Sequence, residues 1–471
     1  MELLLGIDVG TTFCKAGAVA LDGAELSHAR EQTPWRQAGG HTDADPRALL
    51  HACVAAARRA LAAAPGGRVV AVGVTSMAES GALLDSTGAP VAPTIAWHDP
   101  RGCDTADELL ERLGGAARLT ELTGLEPSPI YSLFKYRWLS DHEPGAARGV
   151  RWLSLAEWVV HALGGQAIAE PSLASRTALL DVHRGAWSQE LLDLAGAPAG
   201  MMPELLAAGS PAGTVDRGLE EAHGAVLAVA GHDHSCAAIG AGAVSPGDVF
   251  DSCGTAEGFV RVLNPPVAPD DVARAVRGGV SLVWHVLPRR HALLGGFESG
   301  LALQRCLDLL GVDGDGPERE RLDRAALELS PAAAAMAVED VTGERPTLAG
   351  IPQGASPAEA WRAALEAVAA MGARVLATIE AVAGPAQRLV VAGGGARGSG
   401  VLGVKRERLG PFELSGVHEP GVRGAALVAG CAAGVYPSLD ELPAPALAAP
   451  DARQRQGSGP GLTPSRSHPH V

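Results

Sequence analysis

The chain has 471 residues, of which 47% are hydrophobic, so it is too apolar for a disordered chain and long enough for about two to four domains. Its 38 Lys+Arg against 53 Asp+Glu leave a net charge of −15, which excludes a basic nucleic-acid footprint and a polybasic membrane anchor. Sixty glycines without a three-residue period indicate tight turns and close backbone approaches rather than collagen.

The opening MELLLGIDVG lacks a basic n-region and a small-residue cleavage site, so no signal peptide is expected. Leu3–Val9 predicts a buried strand, ended by Gly10-Thr11-Thr12. A second strand is expected over Cys14–Leu21, and Asp22-Gly23 is a hairpin turn before a third. Asp45 and Pro46 suit the first turn of an Ala/Leu-rich helix reaching about Ala64, and Val69–Thr75 predicts another buried strand. Helices are expected over Arg151–Leu163 and Trp187–Leu194.

Val226–Ala230 then predicts a short strand running into Gly231-His232-Asp233-His234 and a small-residue helix, Ser235–Ala243. Val249–Ser252, Cys253-Gly254-Thr255 and Gly258–Leu263 repeat the strand, Gly-Thr turn, strand order of the N-terminus. Two α/β domains on one plan follow, 1–245 and 246–443, with 444–471 a disordered tail. In the second domain, Ser356–Val382 carries a capping box, Leu389–Ala392 is a strand, Gly393–Gly398 a glycine turn, Val401–Leu409 a helix and Gly424–Gly434 a last small-residue helix.

A glycine turn aims backbone N–H groups at an anion, and threonine hydroxyls add donors. Gly10, Thr11 and Thr12, with Gly254 and Thr255, therefore form two candidate phosphate turns able to pinch one polyphosphate, or two ordinary hairpins. Asp8 can hold the water shell of a Mg²⁺ beside that phosphate. Asp233 is either a general base for a substrate hydroxyl or a helix N-cap. The continuous run His232-Asp233-His234-x-Cys236 has poor spacing for a tetrahedral metal.

Trp97 offers a flat face for a sugar ring, Asp99 and Arg101 can bond hydroxyls, and Glu79 is a candidate ligand at the end of a strand. Gly393–Gly398, with Gly394 and Gly395 inside it, fits GxGxxG between a strand and a helix, and Glu413 lies about twenty residues on. A dinucleotide-dependent enzyme is therefore a competing reading. No GxxxxGK[ST] exists, which excludes a P-loop. Seven scattered cysteines without a CxxC pair point to a reducing cytoplasm.

Taken together, these segments resemble the FGGY carbohydrate kinases of the actin-like ATPase superfamily. The resemblance lies in Gly6–Thr12; Val74–Gly81 followed by Trp97-x-Asp99-x-Arg101; Ser172–Thr177 followed by Asp181 and Trp187; and Gly231-x-Asp233. It continues in Ser252–Thr255, Gly343-Glu344-Arg345-Pro346 and Val391–Ala396, and spans about residues 3–437. It implies two actin-like (ribonuclease H-like) domains flanking an ATP and sugar cleft, with ATP and Mg²⁺ bound. Asp233 matches the family's general base and Asp8 the carboxylate near the metal. Gly10, Thr11, Thr12, Gly254 and Thr255 match phosphate contacts, and Gly394 and Gly395 adenosine contacts. Glu79, Trp97 and Asp99 match positions near the sugar or polyol.

The loop Ser76-Met77-Ala78-Glu79 lacks the Arg before Glu of glycerol kinases and the Gln-Met-His of xylulokinases. The expected acceptor is a sugar, sugar acid or polyol, a xylulose-like ketose first. No nucleic acid or membrane partner is expected, and a homodimer stays open. A kinase-like sensor that binds without turnover is the remaining alternative.

Overall fold

The computed structural model describes residues 1–254, 256–314, 316–330, 337–339, 347–350 and 354–445. Thr255, the Gly343–Pro346 segment and all of the 444–471 tail beyond residue 445, singled out in the sequence, lie outside the described residues.

The N-terminal run forms three antiparallel strands, β1 (Glu2–Val9), β2 (Phe13–Ala20) and β3 (Glu25–Gln32). Helix α1 (Pro46–Ala63) covers one face. Its cap is the one the sequence predicts: the Asp45 side chain accepts from the Arg47 N–H, and Pro46 occupies the first turn. Strand β4 (Arg68–Ser76) returns parallel to β1, and β6 (Val226–His232) lies parallel to β4. The short β5 (Gly213–Thr214) closes the order β5-β6-β4-β1-β2-β3.

The second sheet repeats this plan. Strands β7 (Asp248–Cys253) and β8 (Glu257–Leu263) form a hairpin. It continues antiparallel through β10 (His291–Phe297) to β9 (Val280–Trp284). On its other side β11 (Arg388–Ala392) and β12 (Glu413–Leu414) run parallel to β7. The chain therefore holds two α/β units with mixed sheets, as expected.

Two expected helices are corrected. Arg151–Ser154 is a strand pairing Gly81–Leu84, and the helix starts only at Leu155, where Ser154 and Glu157 form a capping box. Ala186–Trp187 is likewise a strand, and its helix is Gln189–Ala195, capped by Ser188. In both cases a cap inside an apolar stretch ends the strand and starts the helix.

Helix α2 (Asp233–Gly240) leads from the first sheet to the second. Its Ala237 and Ala238 share a core with Phe250 and Val260, while Cys236 and Ile239 pack with Ala425 and Val428. The long α3 (Pro357–Ala383) keeps its capping box, and α4 (Ser399–Leu409) follows the glycine turn after β11. The last helix, α5 (Pro420–Ala432), leaves the second sheet and lies across β1, β4 and β6 of the first. It approaches that sheet so closely that a Cβ on Gly6 would overlap the Val422 carbonyl, and one on Gly73 the Ala425 carbonyl. A division at residue 245 thus leaves one late helix on the side of the first sheet.

Candidate active site

A cleft of about 650 Å³ opens between the two sheets. It is lined by Asp8, Gly10, Thr11, Thr12, Glu79, Trp97, Asp233, Gly254 and Gly394, so nine of the residues singled out in the sequence meet in one place. Gly395 and Asp99 are not among its walls.

The first Gly-Thr turn is held by hydrogen bonds on several sides. Gly10 N donates to Phe13 O, Thr33 Oγ1 donates to Gly10 O at 2.8 Å, and Trp35 Nε1 donates to Thr11 O at 2.7 Å. Trp97 joins it, its Nε1 donating to Thr11 Oγ1 at 2.9 Å. The residue read as a sugar platform therefore ties that wall to the first Gly-Thr turn. Lys135, buried behind it, donates to Trp97 O at 3.0 Å, and burial pushes this lysine down to about 8.

Asp8 stands opposite Lys15 in the β1–β2 register. Burial pushes its carboxyl up to about 7, against the pull of Lys15. Lys15 Nζ is itself 2.7 Å from Glu419 Oε2, at the start of α5. Asp8 Oδ1 is buried and has no hydrogen-bond partner among the described residues. A buried, unmatched carboxylate oxygen beside a candidate phosphate turn fits a hard divalent cation held through water.

Asp233 is the first residue of α2, and its N-cap is His232, so the capping reading gives way. Oδ1 instead accepts from the His234 N–H at 2.7 Å and lies 3.2 Å from His232 Nε2. Burial, with Glu79 adding to it, pushes the carboxyl up to about 7. His234 is pushed down to about 4 by burial and stays neutral at physiological pH.

Glu79 sits at φ 63°, a left-handed conformation unusual for a residue with a Cβ. Ser132 Oγ holds its backbone carbonyl at 2.9 Å, and Arg176 Nε holds its carboxylate at 2.6 Å. The Arg176 guanidinium also lies 5.3 Å over the Tyr131 ring, and both residues line the cleft.

Asp99 is 3% exposed and turned away. Its Oδ1 accepts from the Arg101 N–H and Nε at 2.8 Å, and its Oδ2 from the Thr42 N–H and Arg101 Nη2. No lone pair is left for a ligand, so it braces the Trp97 loop.

On the far wall, Gly254 N donates to Ala256 O at 3.1 Å in the second hairpin. Gly394 faces open space, whereas a Cβ on Gly393 would strike the Cys253 carbonyl. The Gly393–Gly398 turn is thus packed on the second hairpin. Glu413, the acid a dinucleotide site needs, is instead 3.2 Å from Arg388 at the opposite end of β11 from that turn.

Residues 3–240 match the model of the FGGY family of carbohydrate kinases, N-terminal domain. The chain belongs to that family. A glycerol kinase from Aromatoleum aromaticum is 31% identical over 94% of this chain and 92% of its own length. Among solved structures, a xyloylose kinase from Brucella ovis superposes with a TM-score of 0.81 at 24% identity, covering 95% of this chain and 94% of the other. A Plasmodium falciparum glycerol kinase with ADP gives 0.79 at 18%, covering 93% and 91%. As a carbohydrate kinase of this family, the protein works on ATP and a small sugar or polyol, and the dinucleotide reading of Gly393–Gly398 is set aside. No helix among the described residues is long and apolar enough to cross a membrane.

Sequence reasoning missed Lys15, Arg176, Tyr131 and Glu419 as cleft residues. Lys15 was within reach, because the tight β1–β2 turn sets it beside Asp8. Arg176 lay inside the quoted Ser-Arg-Thr segment but had no local partner.

Proposed function

We propose that the kinase transfers the γ-phosphoryl group of ATP to a hydroxyl of a neutral polyol or ketose, with Asp233 as the general base. The observation that carries the choice of acceptor is the Arg176–Glu79 pair beside Asp233. Its one guanidinium is already matched by Glu79, so the acceptor end of the cleft keeps a surplus carboxylate. Carboxylates accept from hydroxyls, whereas a sugar acid would add a negative charge beside Glu79 and Asp233, where the neighbouring Arg176 guanidinium is already paired.

In this reading the cleft residues divide the work. Trp97 and Tyr131 frame the acceptor, and Glu79 accepts from one of its hydroxyls. Asp233 accepts the proton of the attacking hydroxyl and holds that oxygen toward the phosphate turns. Gly10, Thr11, Thr12 and Gly254 hold phosphate oxygens, and the open face of Gly394 receives the nucleoside. A Mg²⁺ held near Asp8 through water would offset phosphate charge.

The relatives named glycerol kinase support glycerol as one acceptor. Ala78, where glycerol kinases carry Arg before the Glu, leaves that loop without a second guanidinium and supports a xylulose-like ketose. Coupled ADP release is the test, with glycerol, pentuloses, hexuloses and gluconate as the panel. A neutral member should raise turnover well above background while gluconate does not. Gluconate as the best acceptor would sink this reading.

A further inference from the structure

Lys405 lies in α4 and is 1% exposed. Its Nζ is 2.5 Å from Asp251 Oδ2 and 2.7 Å from Glu257 Oε1, and 5.5 Å from the centre of the Phe259 ring. Asp251 is 0% and Glu257 2% exposed. These two carboxylates sit on opposite strands of the second phosphate hairpin, in the register Asp251↔Phe259 and Cys253↔Glu257. One ammonium therefore spans both strands just below the turn that carries Gly254.

The groups packed around this cluster are mostly neutral. Cys253 donates to Asp251 Oδ1 at 3.4 Å, Ser299 hydrogen-bonds Glu257, and a Cβ on Gly372 of α3 would lie 3.3 Å from Glu257 Oε1. Burial and the neighbouring Asp251 push Glu257 up to about 7, and Lys405 opposes this. Without the ammonium, two dry carboxylates would repel across the hairpin or share a proton. The same helix α4 starts just after the Gly393–Gly398 turn, so Lys405 joins the nucleoside element to the phosphate element.

Given that Gly254 and Gly394 contact the nucleotide as proposed, we infer that Lys405 is a positioning residue for the phosphate end of the ATP site. It sets the angle of the second hairpin through Asp251 and Glu257 and never touches the nucleotide. A scaffold role alone would affect every nucleotide alike, whereas a positioning role weakens only ligands whose outer phosphates reach the hairpin.

The test is calorimetric binding of Mg²⁺·AMP-PNP and of AMP to the full chain carrying Lys405→Met, Glu257→Gln, or both. Lys405→Met should weaken AMP-PNP by about tenfold or more and leave AMP within about twofold, as expected for a buried charge left unpaired. Adding Glu257→Gln should recover part of the loss, because it removes one of the two carboxylates left unpaired, and with it their mutual repulsion. Equal losses for both nucleotides, no loss, or no recovery would overturn the assignment. Should Lys405→Met fail to fold, Glu257→Gln alone decides, with AMP-PNP weakened by roughly threefold or more and AMP unchanged; an unchanged AMP-PNP affinity overturns it. Wild-type protein that binds neither nucleotide would instead remove the kinase reading of the cleft itself.

Discussion

Arg176 reaches across 97 residues of chain to place Nε 2.6 Å from Oε1 of Glu79, while Glu79 keeps a left-handed backbone at φ 63°. The pair is nearly dry, with side-chain exposures of 11% and 7%. A strained backbone is stable only where its surroundings hold it, and here Ser132 and Arg176 do so from two directions. Arg176→Met strands a buried carboxylate and should destabilise the fold by about 3–5 kcal/mol. Adding Glu79→Gln should restore part of that. Urea titration of the single and double variants checks the coupling, and additive losses would show that the pair is not an energetic unit.

Glu79→Gln alone keeps the shape and removes the charge. The acceptor KM should rise by about tenfold, the scale of a charged hydrogen bond, while the ATP KM stays put. An effect on ATP alone would place Glu79 outside the acceptor pocket.

Asp233→Asn removes the proton acceptor and keeps the N-terminus of α2. Turnover should fall by roughly 10²–10⁴-fold with nucleotide affinity largely intact. Steady-state rates and ADP titration measure the two separately, and undiminished turnover would end the general-base assignment.

The pH dependence has two opposite signs. Burial pushes both Asp8 and Asp233 up to about 7. The base form is the carboxylate, so turnover should rise as pH increases through about 7 and fall below it. Stability runs the other way. Between the unfolded carboxyl range near 4 and the folded value near 7, the folded state binds more protons, so raising pH through that window destabilises it. Asp233→Asn should therefore melt above wild type at pH 8, and the difference should vanish near pH 4. Thermal scans at the two pH values check this, and a variant that melts below wild type at pH 8 would contradict it.

The two Gly-Thr hairpins were legible because their signal is local: an apolar run, an Asp or Ser, a Gly-Thr turn and a second apolar run. Asp45-Pro46 and Ser356-Pro357 were legible for the same reason, since a cap and its first turn are neighbours in sequence. Trp152-Leu153 is apolar in either conformation, so only its pairing with Ala82-Leu83 decides for a strand. Asp99 looked like a ligand beside Trp97, yet Arg101, two residues on, consumes its carboxylate. Arg176 with Glu79, and Lys405 with Asp251 and Glu257, are long-range pairs that no period or spacing announces.

The crossing of α2 and α5 joins the two halves of the molecule, and glycines make it. A Cβ on Gly424 would overlap the Cys236 carbonyl, and one on Gly240 the Pro420 carbonyl. Helix propensity by itself argues that Gly424→Ala stabilises α5 by about 1 kcal/mol. Steric overlap argues the reverse, because both partners are backbone and neither can swing aside. Overpacking a tight interior costs roughly 1–3 kcal/mol, so the clash should win and push the helices apart. Gly424→Ala should thus lower the urea midpoint and also lower turnover, because α2 carries Asp233 and α5 starts beside Glu419, the partner of Lys15. Gly434→Ala is the control: a Cβ there meets nothing within 4 Å but φ is 72°, so it reports backbone strain without the crossing and should spare turnover. A Gly424→Ala protein as stable and as active as wild type would show that the two helices have room to separate.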